Sequence, residues 1–269
     1  MRFKNPVWRL GATLTAAGLV AAYAPASVAS INLIANGGFE ADAANLQSPD
    51  PISHWSSFER GLIGGVGVAS GMQSPVSGRG TVGAASGSYY GLLDLASPAA
   101  MALSQPFSVS QHLQSAALSF AYFINYVGAD TAFQPASAGL DPTTTEANLL
   151  FRVDLLRASA AADSSSAADL VWAATLNPAL SAGPNGYITY AAALDPQLLD
   201  VGQSYWLRFA AVSNTGPLMV GIDDVALQVN GVPEPAIWSL SLAALVAALL
   251  AAPLNGTALR GRRHSPVQP

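Results

Sequence analysis

The segment ALSFAYFINYV, residues 117–127, carries Leu118, Phe120, Tyr122, Ile124 and Tyr126 at every second position. A period of two puts these five side chains on one face of an extended strand, whereas a helix would scatter them around its axis. The pattern returns in NLLFRVDLLRAS (148–159), where Leu149, Phe151, Val153 and Leu155 share a face and Arg152 and Asp154 take the other. In QSYWLRFAAV (203–212), Tyr205, Leu207, Phe209 and Ala211 stand together, opposite Trp206 and Arg208. LMVGIDDVALQV (218–229) adds a further apolar run. Stretches at 31–35, 53–58, 88–95, 100–109, 168–176 and 186–194 read as strands too, divided by clusters of Gly, Pro, Asn and Ser. About ten short strands with turns between them predict an all-β, antiparallel β-sandwich. Two intervals read instead as long loops: 62–87, rich in Gly and Ser, and 128–147, with three acidic residues and no alternation. Residues 159–169 read as a hairpin tip.

Charge is distributed unevenly. The overall formal charge is −5, yet residues 31–231 hold five Arg, no Lys and fifteen carboxylates, a balance near −10. A body with no basic patch is a poor partner for nucleic acid. There is no cysteine, so disulfides and cysteine-type zinc sites are excluded. About 200 residues suffice to bury one full core.

The basic residues sit at the ends. Arg2, Lys4 and Arg9 precede an apolar stretch from Leu10 to about Ala24, followed by Ser27-Val28-Ala29. That is the layout of a cleavable secretory signal, assigned to residues 1–29. Residues 236–254 contain no charge and are long enough for a membrane-crossing helix, which needs about 20 residues. Arg260, Arg262 and Arg263 follow, and such clusters stay on the cytoplasmic side. The body, residues 30–231, is therefore expected outside the inner membrane, between a signal helix and a transmembrane helix.

Val232-Pro233-Glu234-Pro235, then the apolar run, then the Arg cluster, resembles the PEP-CTERM sorting signal of Gram-negative bacteria. The resemblance covers residues 232–269. It implies export, transient anchoring in the inner membrane, recognition by an exosortase-type processing enzyme, and a final place at the cell surface or in the extracellular matrix. The trailing HSPVQP is longer than that pattern expects.

Two motifs bracket the body. NLIANGGFE (32–40) opens it and VGIDDVALQV (220–229) closes it. Together with the strand pattern they resemble jelly-roll carbohydrate-binding modules and galactose-binding-like domains. The resemblance implies neighbouring first and last strands and a structural calcium between the motifs, with Glu40 and Asp223 or Asp224 as carboxylate ligands. Adjacent Asp residues on a strand point to opposite faces, so one is driven inward and is costly there unless paired or metal-bound. A bulge at this pair accounts for the phase change from Val220 and Ile222 to Val225 and Leu227. The other reading keeps Glu40 and the Asp pair as ordinary strand-end charges.

For chemistry, His54, His112 and His264 are isolated, and no nucleophile elbow, zinc-protease helix or phosphate loop is present. The expectation is a non-catalytic exported protein of the surface or matrix. One alternative is a carbohydrate-binding module for exopolysaccharide, with Trp55, Tyr89, Tyr90, Trp172 and Trp206 as candidate sugar-stacking rings. The second is a polysaccharide hydrolase, which would need two carboxylates across a cleft.

Overall fold

The computed structural model describes residues 30–42, 46–47, 50–61, 63–137 and 139–232. The expected signal segment, the Pro233-Glu234-Pro235 motif, the 236–254 helix and the Arg cluster lie outside the described residues. No helix among the described residues is long and apolar enough to cross a membrane.

Among the described residues twelve strands follow one another: β1 (Ile31–Asn32), β2 (Leu46–Gln47), β3 (Ser56–Gly61), β4 (Gly64–Ser70), β5 (Tyr89–Leu95), β6 (Ala99–Ser108), β7 (Leu113–Tyr126), β8 (Leu149–Arg157), β9 (Leu170–Thr175), β10 (Ile188–Leu194), β11 (Ser204–Ser213) and β12 (Leu218–Gly231). One 3-10 turn, Pro196–Leu198, joins β10 to β11. The strands form two antiparallel sheets. One runs β10-β7-β12-β5-β4-β2, with β1 also paired to β12; the other runs β3-β6-β11-β8-β9. The expected β-sandwich is therefore the observed architecture, and the first strand lies beside the last, with Ile31 opposite Val229.

The alternating residues do what their period requires. Leu118, Phe120, Tyr122 and Ile124 of β7 pack into the space between the sheets with Phe151, Val153 and Leu155 of β8 and Leu207 and Phe209 of β11. Phe120 meets Phe209 edge-on at 4.9 Å between ring centres, the arrangement that aromatic quadrupoles favour. On β12 the register slips between Asp223 and Ala226, and Asp224 adopts φ 52°. This is the bulge expected from the phase change. It keeps Val220, Ile222, Val225 and Leu227 all in the core.

One expectation is corrected. The interval 62–87 is not all loop, because Gly64–Ser70 pairs with β5 along seven residues. Val66 and Val68 enter the core while Gly65 lies beneath Val76 of the following segment. Glycines stand on this outer face because another part of the chain packs on it, and their lack of side chains hides the alternation.

Candidate functional site

Loops cover part of each outer face of the sandwich, and buried polar residues hold them down. On the larger sheet, Asp94 of β5 is fully enclosed. It accepts hydrogen bonds from Ser74 Oγ and Ser77 Oγ, each at 2.5 Å, and pairs with Arg79. Asn125 of β7 accepts from Asn185 N at 2.9 Å. On the smaller sheet, Asn148 donates to Gly139 O and Asp141 O, and Asn214 donates to Thr144 O and Glu146 O. Leu140 of the same loop is buried against Ala102, Leu150 and Ala210. A buried carbonyl or amide left unpaired costs free energy, so each anchor fixes its loop in one place.

The two bracketing motifs meet at the same turn. Asp223 Oδ2 accepts from Ala85 N and Ser86 N at 2.8 and 3.1 Å. Glu40 Oε1 accepts from Ser88 N and Tyr89 N at 2.7 and 2.9 Å. Asp224 Oδ1 accepts from Ser86 Oγ at 2.5 Å. The opening motif reaches β12 because Gly37 lies directly against the Val225 backbone, and Gly37 O accepts from Val225 N at 3.0 Å. A side chain at residue 37 would occupy the Val225 carbonyl, which is why glycine stands there. Asp223 is fully buried, and removal from water pushes its carboxyl up to about 6 despite the backbone donors. Glu40 and Asp223 both lie close to Gly38. Among the described residues, however, no group of three or more acidic or histidine side chains converges as a metal-ligand cluster. The side chains supply only part of the six to eight oxygens that calcium takes.

The predicted aromatics separate. Trp55 is buried, stacked on Phe39 at 5.3 Å, and donates Nε1–H to Asn36 O. Tyr90 is buried, with its hydroxyl against Thr81 Oγ1 at 2.8 Å. Neither offers a ring face to solvent, which corrects the expectation for both: Trp55 completes the core and Tyr90 faces the loop over the larger sheet. Tyr89 and Trp172 are half-buried at the margin of the main core. Trp206 differs. It lies half-buried on the outer face of β11, with Nε1–H donated to Ala158 O at 3.3 Å.

Beside Trp206 is a pocket of about 80 Å³, lined by Ser56 and Phe58 of β3, Ser104 of β6, Leu156 of β8 and residues Ala160, Ala161 and Ala162. Next to it on the sheet is a buried charge triad. Asp154 Oδ2 accepts from Arg208 Nε and Nη2 at 2.9 and 2.5 Å, and Oδ1 accepts from Arg152 Nε at 2.7 Å. Arg208 and Asp154 are both fully buried. Burial lowers the Arg208 pKa, and Asp154 opposes that shift. The third Arg208 contact, Nη1 to Ala162 O at 2.8 Å, ties the triad to the pocket wall. The pocket lining contains no carboxylate. Sequence patterning put Trp206, Arg208, Arg152 and Asp154 on outer faces but did not reveal that they share a site. Phe58, Ser56 and Ser104 went unrecognised, because the pocket draws three residues from β3 and one from each of three other strands, and no single segment shows the set.

No protein-family model matches the chain, and no curated protein is detectably similar to it in sequence. Several solved structures are similar to it at low identity. A Stig cyclase from Fischerella sp. TAU is 17% identical over 76% of this chain and 99% of that one, with a TM-score of 0.48. The module TmCBM61, in complex with β-1,4-galactotriose, is 12% identical over 73% of this chain and 97% of that one, TM-score 0.41. The enzymatically active domain of tailspike protein 4 from bacteriophage CBA120 is 15% identical over 74% of this chain, TM-score 0.41. This chain spans about a fifth of that tailspike domain, 21% of its length.

Proposed function

We propose that this chain is an exported, non-catalytic β-sandwich of the cell surface or matrix that holds a neutral saccharide at Trp206. One observation carries this reading: a half-buried indole borders a pocket that Phe58, Ser56 and Ser104 also line. Sugar rings present apolar C–H faces to an aromatic ring and hydroxyls to small polar groups. At about 80 Å³ the pocket takes part of one ring, so a polysaccharide would lie across it. With no carboxylate in the lining, general acid–base cleavage there has no donor. Export, exosortase processing and passage through the inner membrane are part of the same proposal and rest on the sequence of the two ends. Affinity electrophoresis through gels containing neutral exopolysaccharide tests the sugar reading. The wild type should be retarded, Trp206→Ala should not, and Trp206→Phe should retain part of the effect. Equal mobility of wild type and Trp206→Ala in every polysaccharide tried would end it. Intact mass of protein recovered from cells tests the processing, since residues 236–269 still attached to the final product would contradict it.

A second proposal is a structural calcium at Glu40 and Asp223. It is favoured by a fully buried Asp223 that has no ion pair among the described residues.

A further inference from the structure

The outermost strands of the two sheets are protected unequally. In the larger sheet, β1 and β2 are each two residues long. In the smaller sheet, β3 carries Glu59 and Arg60, and β9 is interrupted by a bulge opposite Leu155 and Leu156. Short length, charge and bulges are the devices that keep a free sheet edge from pairing with another chain. The remaining outer strand, β10, has none of them. Its seven residues, ITYAAAL, include no charge and no proline, and pair with β7 without a break from Ile188 to Leu194. Among the described residues, no hydrogen bond besides the β7 ladder engages the backbone of 188–194. Ile188 is 43% exposed although it belongs to the core-facing row of the strand.

We propose that β10 is an interaction edge whose partner is β10 of a second copy of this chain, paired antiparallel about a two-fold axis through Ala191. The side chains of the strand are self-complementary in that register. Tyr190 falls opposite Ala192 of the second copy and Ile188 opposite its Leu194, so large residues meet small or apolar ones on the core side. Thr189 falls opposite Ala193 of the second copy on the outer side, and Ala191 meets Ala191. No like charges meet, and such meetings are what forbid most self-pairings. The pairing joins two large sheets into one continuous sheet and covers Ile188. A contact of two seven-residue strands is small, below about 1,200 Å², so a transient pair is expected in dilute solution. Copies held together on one surface reach far higher effective concentrations, where the edge contact is populated.

The chain has no cysteine, which makes the test direct. Directly opposed residues of an antiparallel pair lie within disulfide range. In the full-length chain in detergent, Ala191→Cys should form a covalent dimer under mild oxidation by oxidised glutathione. Gln228→Cys, exposed on β12 away from this edge, should remain monomeric. Thr189→Cys and Ala193→Cys chains should cross-link when mixed and much less when alone, because only the mixture places the two thiols opposite each other. Adding Thr189→Lys and Ala193→Lys to Ala191→Cys should abolish the dimer while leaving the circular dichroism spectrum unchanged. Cross-linking of Ala191→Cys no faster than Gln228→Cys, or unaffected by the lysines, would overturn edge pairing.

Discussion

Replacing Asp154 by Ala should be among the most damaging single changes in this protein. Asp154 is fully buried and accepts from two arginines, one of which, Arg208, is itself fully buried. Among the described residues, removing the carboxylate leaves the enclosed Arg208 guanidinium with Ala162 O alone as an acceptor. Stranding one member of a buried pair in this way costs about 3–5 kcal/mol. For a domain of this size each kcal/mol corresponds to about 2–4 °C in Tm, so a fall of roughly 6–20 °C is expected. Arg208→Met should cost less, because Asp154 keeps Arg152. The double change Asp154→Leu with Arg208→Met should recover most of the loss, since a well-packed apolar pair avoids the desolvation cost. Thermal unfolding followed by circular dichroism at several scan rates measures all three. The loss should also reach the pocket. Asp154 holds the Arg208 guanidinium that reaches Ala162, so its loss should loosen the 160–162 wall and weaken polysaccharide retardation. A shift below about 2 °C for Asp154→Ala, or a double variant no better than the single one, would refute this account of the triad.

Asp223 makes a pH signature. Its carboxyl is raised to about 6 in the folded state by burial. Folding therefore gains from its protonation, a contribution present below the unfolded value of 3.8 and lost as pH rises through about 6. Between roughly pH 7 and pH 4 the wild type should gain about 2 kcal/mol relative to Asp223→Asn; identical pH slopes would contradict the burial argument. A bound calcium would reverse that sign by holding Asp223 ionised. It would also raise stability by about 2.7 kcal/mol at a hundred times its dissociation constant, an effect that Glu40→Gln should remove. A wild-type melting curve unaltered by excess chelator ends the calcium proposal and leaves both carboxylates as anchors of the 85–89 turn. Gly37→Ala should destabilise by about 2–3 kcal/mol through overpacking against the Val225 carbonyl, and unchanged chemical denaturation would show that this crossing relaxes more easily than its geometry implies.

Strand identity and facing were legible in the sequence wherever large side chains alternate. Leu118 to Tyr126, Leu149 to Leu155 and Tyr205 to Ala211 all enter the core as their period demands. The Asp223-Asp224 bulge was legible for the same reason, because a change of phase along one strand is a local property. The strand at 64–70 was not, because glycine removes the side chains on which alternation depends. Nor was the fate of the aromatics, since period two separates the faces of a strand without saying what lies on each. Trp55 is buried by Phe39 and Phe209, and Tyr90 by Thr81. The carboxylate anchoring of the 85–89 turn joins residues 138 positions apart at Asp223 and Ala85. The Trp206 pocket draws on four strands and a hairpin tip. Such sites come into being only when sheet order and loop docking are complete, and those are set by the summed packing of the whole chain rather than by any one segment.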